Sequence, residues 1–188
     1  MFIQTEATPN PAVLKFLPGR RLLAEGSREF RDGDEARASP LAEALFRIDG
    51  VARVFFADEF LTVSKAEDAD WAWLKAPILA AIMDHFTSGE ALLRGESPEA
   101  DEDETYEGET AAIVAEIKDL LDSRIRPAVA QDGGDILFSK FEADTGVLWL
   151  HMRGACAGCP SSAATLKAGV ENMLRHYVPE VTRVEQIL

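Results

Sequence analysis

Two cysteines, Cys156 and Cys159, stand three positions apart in the run GACAGCPSS at residues 154–162, and the 188-residue chain has no others. Thiolates bind soft metals, exchange with disulfides, or close into a structural disulfide. Pro160 follows Cys159 directly. Proline is favoured at the first position of a helix, so Cys159 is expected to cap a helix, with Cys156 in a Gly-rich turn leaving a strand. The unpaired N–H groups and positive dipole end at such a place favour an anion, so both thiols are expected to ionise more easily than free cysteine. Gly154 and Gly158 supply the positive φ and close backbone approach that wrapping around a metal requires.

Each chemistry can be weighed. Disulfides are rare in a reducing cytosol, which disfavours a structural bridge. A thioredoxin-like dithiol fits the strand-to-helix setting, but here only one helix and one short strand remain after the pair. A metal site meets a valence problem, because structural zinc and the common iron–sulfur clusters take four protein ligands. His151, five residues before Cys156, could add a third, although a lone strand histidine is more often an ordinary packed or surface side chain. Symmetry completes the set most simply: two copies, each giving Cys156 and Cys159, hold one metal group at a two-fold axis as a homodimer. A group held so would be exposed and easily surrendered, which suits a carrier better than an electron-transfer protein or an enzyme. The alternatives are a dithiol/disulfide oxidoreductase and a zinc-linked interaction module.

The elements that must position this pair fall into two groups. Composition, 47% apolar and 28% charged, is that of a globular chain. No run reaches the ~20 apolar residues of a membrane helix, and residues 1–12 resemble no export or import leader, so a bacterial cytoplasmic protein is expected. The net charge of −14 argues against nucleic acid or an anionic membrane as a partner. Much of that charge is local: residues 95–110, GESPEADEDETYEGET, hold eight acids and no base, so elsewhere 25 acids face 19 bases. Self-repelling and poor in apolar residues, this stretch reads as a flexible acidic linker between a domain at 1–94 and another at 111–188.

The fold class is α+β, two small domains. In the first, strands FIQTE and AVLKFLP flank a Pro-rich turn. Ser39-Pro40 then opens a helix with Leu41, Leu45 and Ile48 on one face. VARVFF and FLTVSK make a hairpin, and Trp71, Leu74, Ile78, Ile82 and Phe86 mark a final helix that Pro77 would delay or kink, giving ββαββα. The second reads αββαβ. Ile113, Ile117, Leu120, Leu121 and Ile125 form a helical stripe with a kink at Pro127. A hairpin at 136–141 and 147–152, the Cys loop, a helix lined by Leu166, Val170 and Leu174, and a strand near 181–187 follow. Asp132-Gly133-Gly134-Asp135 reads as a helix stop and strand start. Trp71, Trp73 and Phe86 read as core or partner-facing surface. The sequence holds no P-loop or dinucleotide fingerprint.

The segments LLDSRIRPAVAQDGGDI and MRGACAGCPSS resemble the NifU-like C-terminal domain of Nfu-type iron–sulfur cluster carriers. TPNPAVLKFLPG, FLTVSK and DWAWLKAPILAAIMDHFTSG resemble the Nfu N-terminal domain. That resemblance implies a [4Fe–4S] cluster, with [2Fe–2S] as the other form four sulfurs allow, bridging a homodimer through Cys156 and Cys159. It further implies receipt from an upstream scaffold and delivery to apo iron–sulfur client enzymes, without catalysis. Residues 111–188 would then carry the cluster, and 1–94 would recognise clients or donors.

Overall fold

The computed structural model describes residues 2–24, 26–95, 106–157 and 160–187, with side chains of 160–163 left aside. The chain divides into two compact units, Met1–Ser97 and Pro98–Leu188. Both mix helices with antiparallel strand pairs, the α+β class expected.

In the first unit, β1 (Gln4–Ala7), β2 (Val13–Leu17), β3 (Arg28–Phe30), β4 (Val51–Phe56) and β5 (Leu61–Lys65) form a sheet ordered β1-β2-β5-β4-β3, antiparallel throughout. The one-turn α1 (Gly33–Ala36), then α2 (Pro40–Phe46) and α3 (Trp71–Ser88), complete it. The expected ββαββα order is present, with β3 and α1 added. Neither is long enough to show periodicity; Asp32, accepting the Asp34 and Glu35 N–H groups at 2.9 Å, makes the α1 turn. Ser39 caps α2 through the Ala42 N–H at 3.2 Å. Asp70 caps α3, which contains Pro77 without ending there and stops at Gly89, φ 73°. Phe16, Phe30, Val54, Phe56, Leu61 and Val63 from the sheet meet Leu41, Leu45, Ile78 and Ile82 from the helices in one core. Trp71 and Phe86 pack at its edge, whereas Trp73 stands 81% exposed.

The second unit runs α4 (Gly108–Leu120), a π-helical turn (Leu121–Ile125), α5 (Arg126–Gln131), β6 (Gly134–Glu142), β7 (Val147–Gly154), α6 (Pro160–Tyr177) and β8 (Arg183–Ile187). Helix α4 begins at Gly108, inside the span read as linker, and Tyr106 already belongs to this unit. A bulge between Phe138 and Lys140 interrupts the β6 ladder, and the Phe141 N–H just beyond it donates to Tyr106 Oη at 2.8 Å. The apolar stripe is continuous, but its helix is not. At Leu121–Ile125 bonding widens to i→i+5, with the Arg126 N–H donating to the Leu121 carbonyl, one residue before the Pro127 at which a kink was expected.

β6 and β7 pair as an antiparallel hairpin, while β7 and β8 are parallel. Parallel neighbours need a crossover, and α6 supplies it. Ile136, Phe138, Leu148, Leu150, Met152 and Val184 line one sheet face and close a core with Ile117, Leu121, Ile125, Val170 and Leu174. The Cys loop is therefore the connection from the end of a central strand to the start of the crossover helix.

Candidate metal centre at the end of β7

Cys156 lies two residues beyond β7. Gly154, φ 65°, turns the chain there, and the turn is tied to the DGGD segment: the Ala155 N–H donates to the Gly133 carbonyl at 3.1 Å, and Gly134 pairs with Gly154 in the β6/β7 register. Gly133 has φ 83°, the left-handed conformation that ends α5. Gly134 has an ordinary φ, and its lack of a side chain answers a different need. A Cβ there would overlap Cys156 Sγ and stand 2.8 Å from the Arg153 carbonyl oxygen and 3.1 Å from the Cys156 nitrogen. The thiol occupies the space a side chain at 134 would take.

That slot is enclosed. Cys156 is a free thiol, 5% exposed, and counts among the core residues. Burial, followed by the nearby Asp132 and Asp135 carboxylates, pushes its pKa up to about 12. The expectation that this thiol ionises easily is thus corrected. Removing the sulfur from water beside two carboxylates opposes charge on it. Cys159 and its expected capping role lie outside the described residues.

Behind the slot is a charged clamp. Asp135, 7% exposed, receives Arg126 Nε on Oδ1 at 2.8 Å and Nη2 on Oδ2 at 3.0 Å, a bidentate pair, while its Oδ1 also accepts the Ile136 N–H at 2.9 Å. Arg126 Nη1 reaches Asp122 Oδ1 at 2.8 Å. Hydrogen bonding to Asp135 leads the effects that hold the guanidinium charged more firmly than usual. The DGGD segment therefore does more than stop a helix and start a strand. Its second glycine houses the thiol, and its last aspartate is buried and paired with an arginine nine residues earlier. Side-by-side glycines, of which only one is explained by a turn, were the available signal.

His151 is not brought to the thiol's side of the sheet. Along β7 the buried Leu148, Leu150 and Met152 alternate with Trp149, His151 and Arg153, so the imidazole lies on the opposite face. Among the described residues no group of three or more His, Cys, Asp or Glu side chains is arranged to hold a metal ion. What surrounds Cys156 among the described residues is an incomplete ligand set.

Comparison with known proteins fits both units. Residues 3–89 match the family described as scaffold protein Nfu/NifU N terminal, and residues 117–185 match the NifU-like domain. Over 186 residues the chain is 50% identical to NifU-like protein 5, mitochondrial, of Arabidopsis thaliana, covering 99% of this chain and 68% of that protein. Over 188 residues it is 51% identical to the NFU1 iron-sulfur cluster scaffold homolog, mitochondrial, of Drosophila sechellia, covering 100% of this chain and 65% of that protein. A solution structure of a NifU-like protein from Saccharomyces cerevisiae is 28% identical, with a TM-score of 0.47, over 51% of this chain and 87% of that one. The chain spans about two thirds of the length of the two full-chain relatives. Those relatives are mitochondrial proteins, which overturns the expectation of a bacterial cytoplasmic protein. With both units matched and half the residues shared from one end to the other, the chain belongs to the Nfu/NifU scaffold family.

Proposed function

We propose that the protein is an iron–sulfur cluster carrier in which Cys156 and Cys159 of two chains together hold one cluster, [4Fe–4S] in preference to [2Fe–2S], and pass it to apo-proteins. The observation that carries this reading is the pairing of an incomplete ligand set, two thiols per chain at the β7–α6 connection, with relatives whose names describe iron–sulfur cluster scaffolds. An upstream scaffold supplies the cluster, and client enzymes lacking theirs receive it. Residues 1–94 recognise donors or clients, residues 111–188 hold the cargo, and the acidic stretch between them lets one dimer meet partners of different shapes.

Transfer needs no catalyst and no redox partner. A client thiolate binds an iron as a carrier thiolate leaves, so the cluster keeps four sulfur ligands and its charge; the proton from the client's thiol ends on the released cysteine. Loading runs the same exchange in reverse: Cys156 passes its proton to the departing donor thiolate as its own sulfur binds iron.

Anaerobic reconstitution with iron and sulfide tests the reading, with mass measured in solution. A dimer containing about four irons and four sulfides, the content of one [4Fe–4S] cluster, is expected, and Cys156→Ser or Cys159→Ser should abolish it. Undiminished iron in Cys156→Ser, colourless zinc-bound protein, or a monomer that merely cycles a disulfide would each refute it.

A further inference from the structure

The clamp behind the thiol suggests a role that neither cysteine can fill. A cluster held by four thiolates is an anion, and anions are costly beside buried carboxylates unless the carboxylates are compensated. Asp135 is such a carboxylate: it is 7% exposed and adjoins Gly134, the residue against which Cys156 packs. Arg126 grips both of its oxygens, at 2.8 and 3.0 Å. Arg126 directly follows the π-helical turn, and its guanidinium reaches β6 at Asp135 while Leu121 and Ile125 stay buried in the core.

We propose that Arg126 is a positioning residue for the cluster: through Asp135 it fixes the strand start that forms the wall behind Cys156, and it cancels the carboxylate charge beside the sulfur. This rests on the cluster-carrier reading above. Arg126 acts in the way outer partners of metal ligands do, by setting where a ligand sits and the potential it feels.

The test uses the full chain, reconstituted with iron and sulfide, in four forms beside wild type: Arg126→Gln, Arg126→Lys, Asp135→Asn and the Arg126→Gln/Asp135→Asn double. Iron loss to a chelator, the cluster's reduction potential and the thermal midpoint of the metal-free protein are measured on each. Arg126→Gln should release iron about 10- to 100-fold faster, the usual effect of losing an outer partner. Its potential should move negative, because the Asp135 carboxylate near the cluster loses its guanidinium counter-charge. Asp135→Asn should move the potential the opposite way, and the double variant should regain slow release and a near-wild-type potential. Arg126→Lys keeps the charge without the bidentate grip, so its potential should stay near wild type while release is intermediate. If Arg126→Gln does not fold, Arg126→Lys and Asp135→Asn still decide: an Asp135→Asn potential equal to wild type overturns the proposal. A purely structural arginine would lower thermal midpoints and leave every potential unchanged, which overturns it also. Failure of wild type to take up iron and sulfide would instead sink the carrier reading itself, and this inference with it.

Discussion

At the scale of single residues, the centre is built by an absence. Gly134 has no need of glycine's backbone freedom; it is small because Cys156 Sγ and two backbone atoms fill the place of its Cβ. Backbone cannot rotate away as a side chain can, so Gly134→Ala should cost about 1–3 kcal/mol, the range for overpacking, read as a lower urea midpoint. It should also eject the thiol from its slot, so iron retention falls in parallel. The slot makes a second expectation at the same scale. With its pKa pushed up to about 12, the Cys156 thiol of the metal-free protein stays neutral well above the ordinary thiol range. Its alkylation by iodoacetamide should be slow near neutral pH and keep rising past pH 9, whereas in urea it should level off near the free-cysteine value of about 8.5. The sign for stability follows: the raised value contributes stability that is complete below the unfolded pKa and is lost as pH climbs toward the folded one. Peptide mass spectrometry of the alkylated site checks the rates. The cysteine pair and its spacing were legible in the sequence, since both are local. The slot was not, because it is made by residues more than twenty positions apart that meet only when β6 pairs with β7.

At the scale of elements, long amphipathic segments were legible and short or interrupted ones were not. The α3 and α6 helices and the β4–β5 and β6–β7 hairpins each repeat an apolar spacing often enough to reveal themselves. β3 offers three residues, two of them charged, and is strand only because β4 pairs with it. The π-helical turn was hidden for another reason: an apolar stripe at 117, 121 and 125 reads as unbroken helix whether the bonding inside is α or π. Tyr106 is the sharpest case. Its place in an acidic stretch hid a hydroxyl that accepts the Phe141 N–H at 2.8 Å, at the bulge where β6 departs from its ladder. Tyr106→Phe keeps the ring against Phe138 and leaves that N–H without its acceptor. A loss of about 1–2 kcal/mol is expected. Amide exchange at Phe141 should quicken, with β1–β5 amides unchanged.

At the scale of the whole molecule, two cores with separate element sets argue that each unit carries its own stability. Composition marks the stretch between them by eight acids without a base, a run that cannot build a core. It could not place the edge, since a helix that starts at Gly108, with Glu107 just before it and Glu109 in its first turn, looks like more of the same charge. Acids there suit the positive end of a helix, so the charge run and the helix start overlap instead of excluding one another. The edge has a measurable consequence. A fragment of residues 106–188 retains Tyr106 and all of α4, whereas 111–188 lacks the first turn of that helix and the Phe141 acceptor. Both contain Cys156 and Cys159, so composition alone ranks them equal. The structure ranks them: 106–188 should melt near the second-unit transition of the full chain and take up iron and sulfide as the full chain does, while 111–188 should melt lower and release its iron sooner. Fragment 1–94 should fold and stay colourless. Equal melting of the two longer fragments would mean that the segment before Ala111 contributes nothing to the second unit. Iron in fragment 1–94 would mean that cargo is held outside the β7–α6 connection.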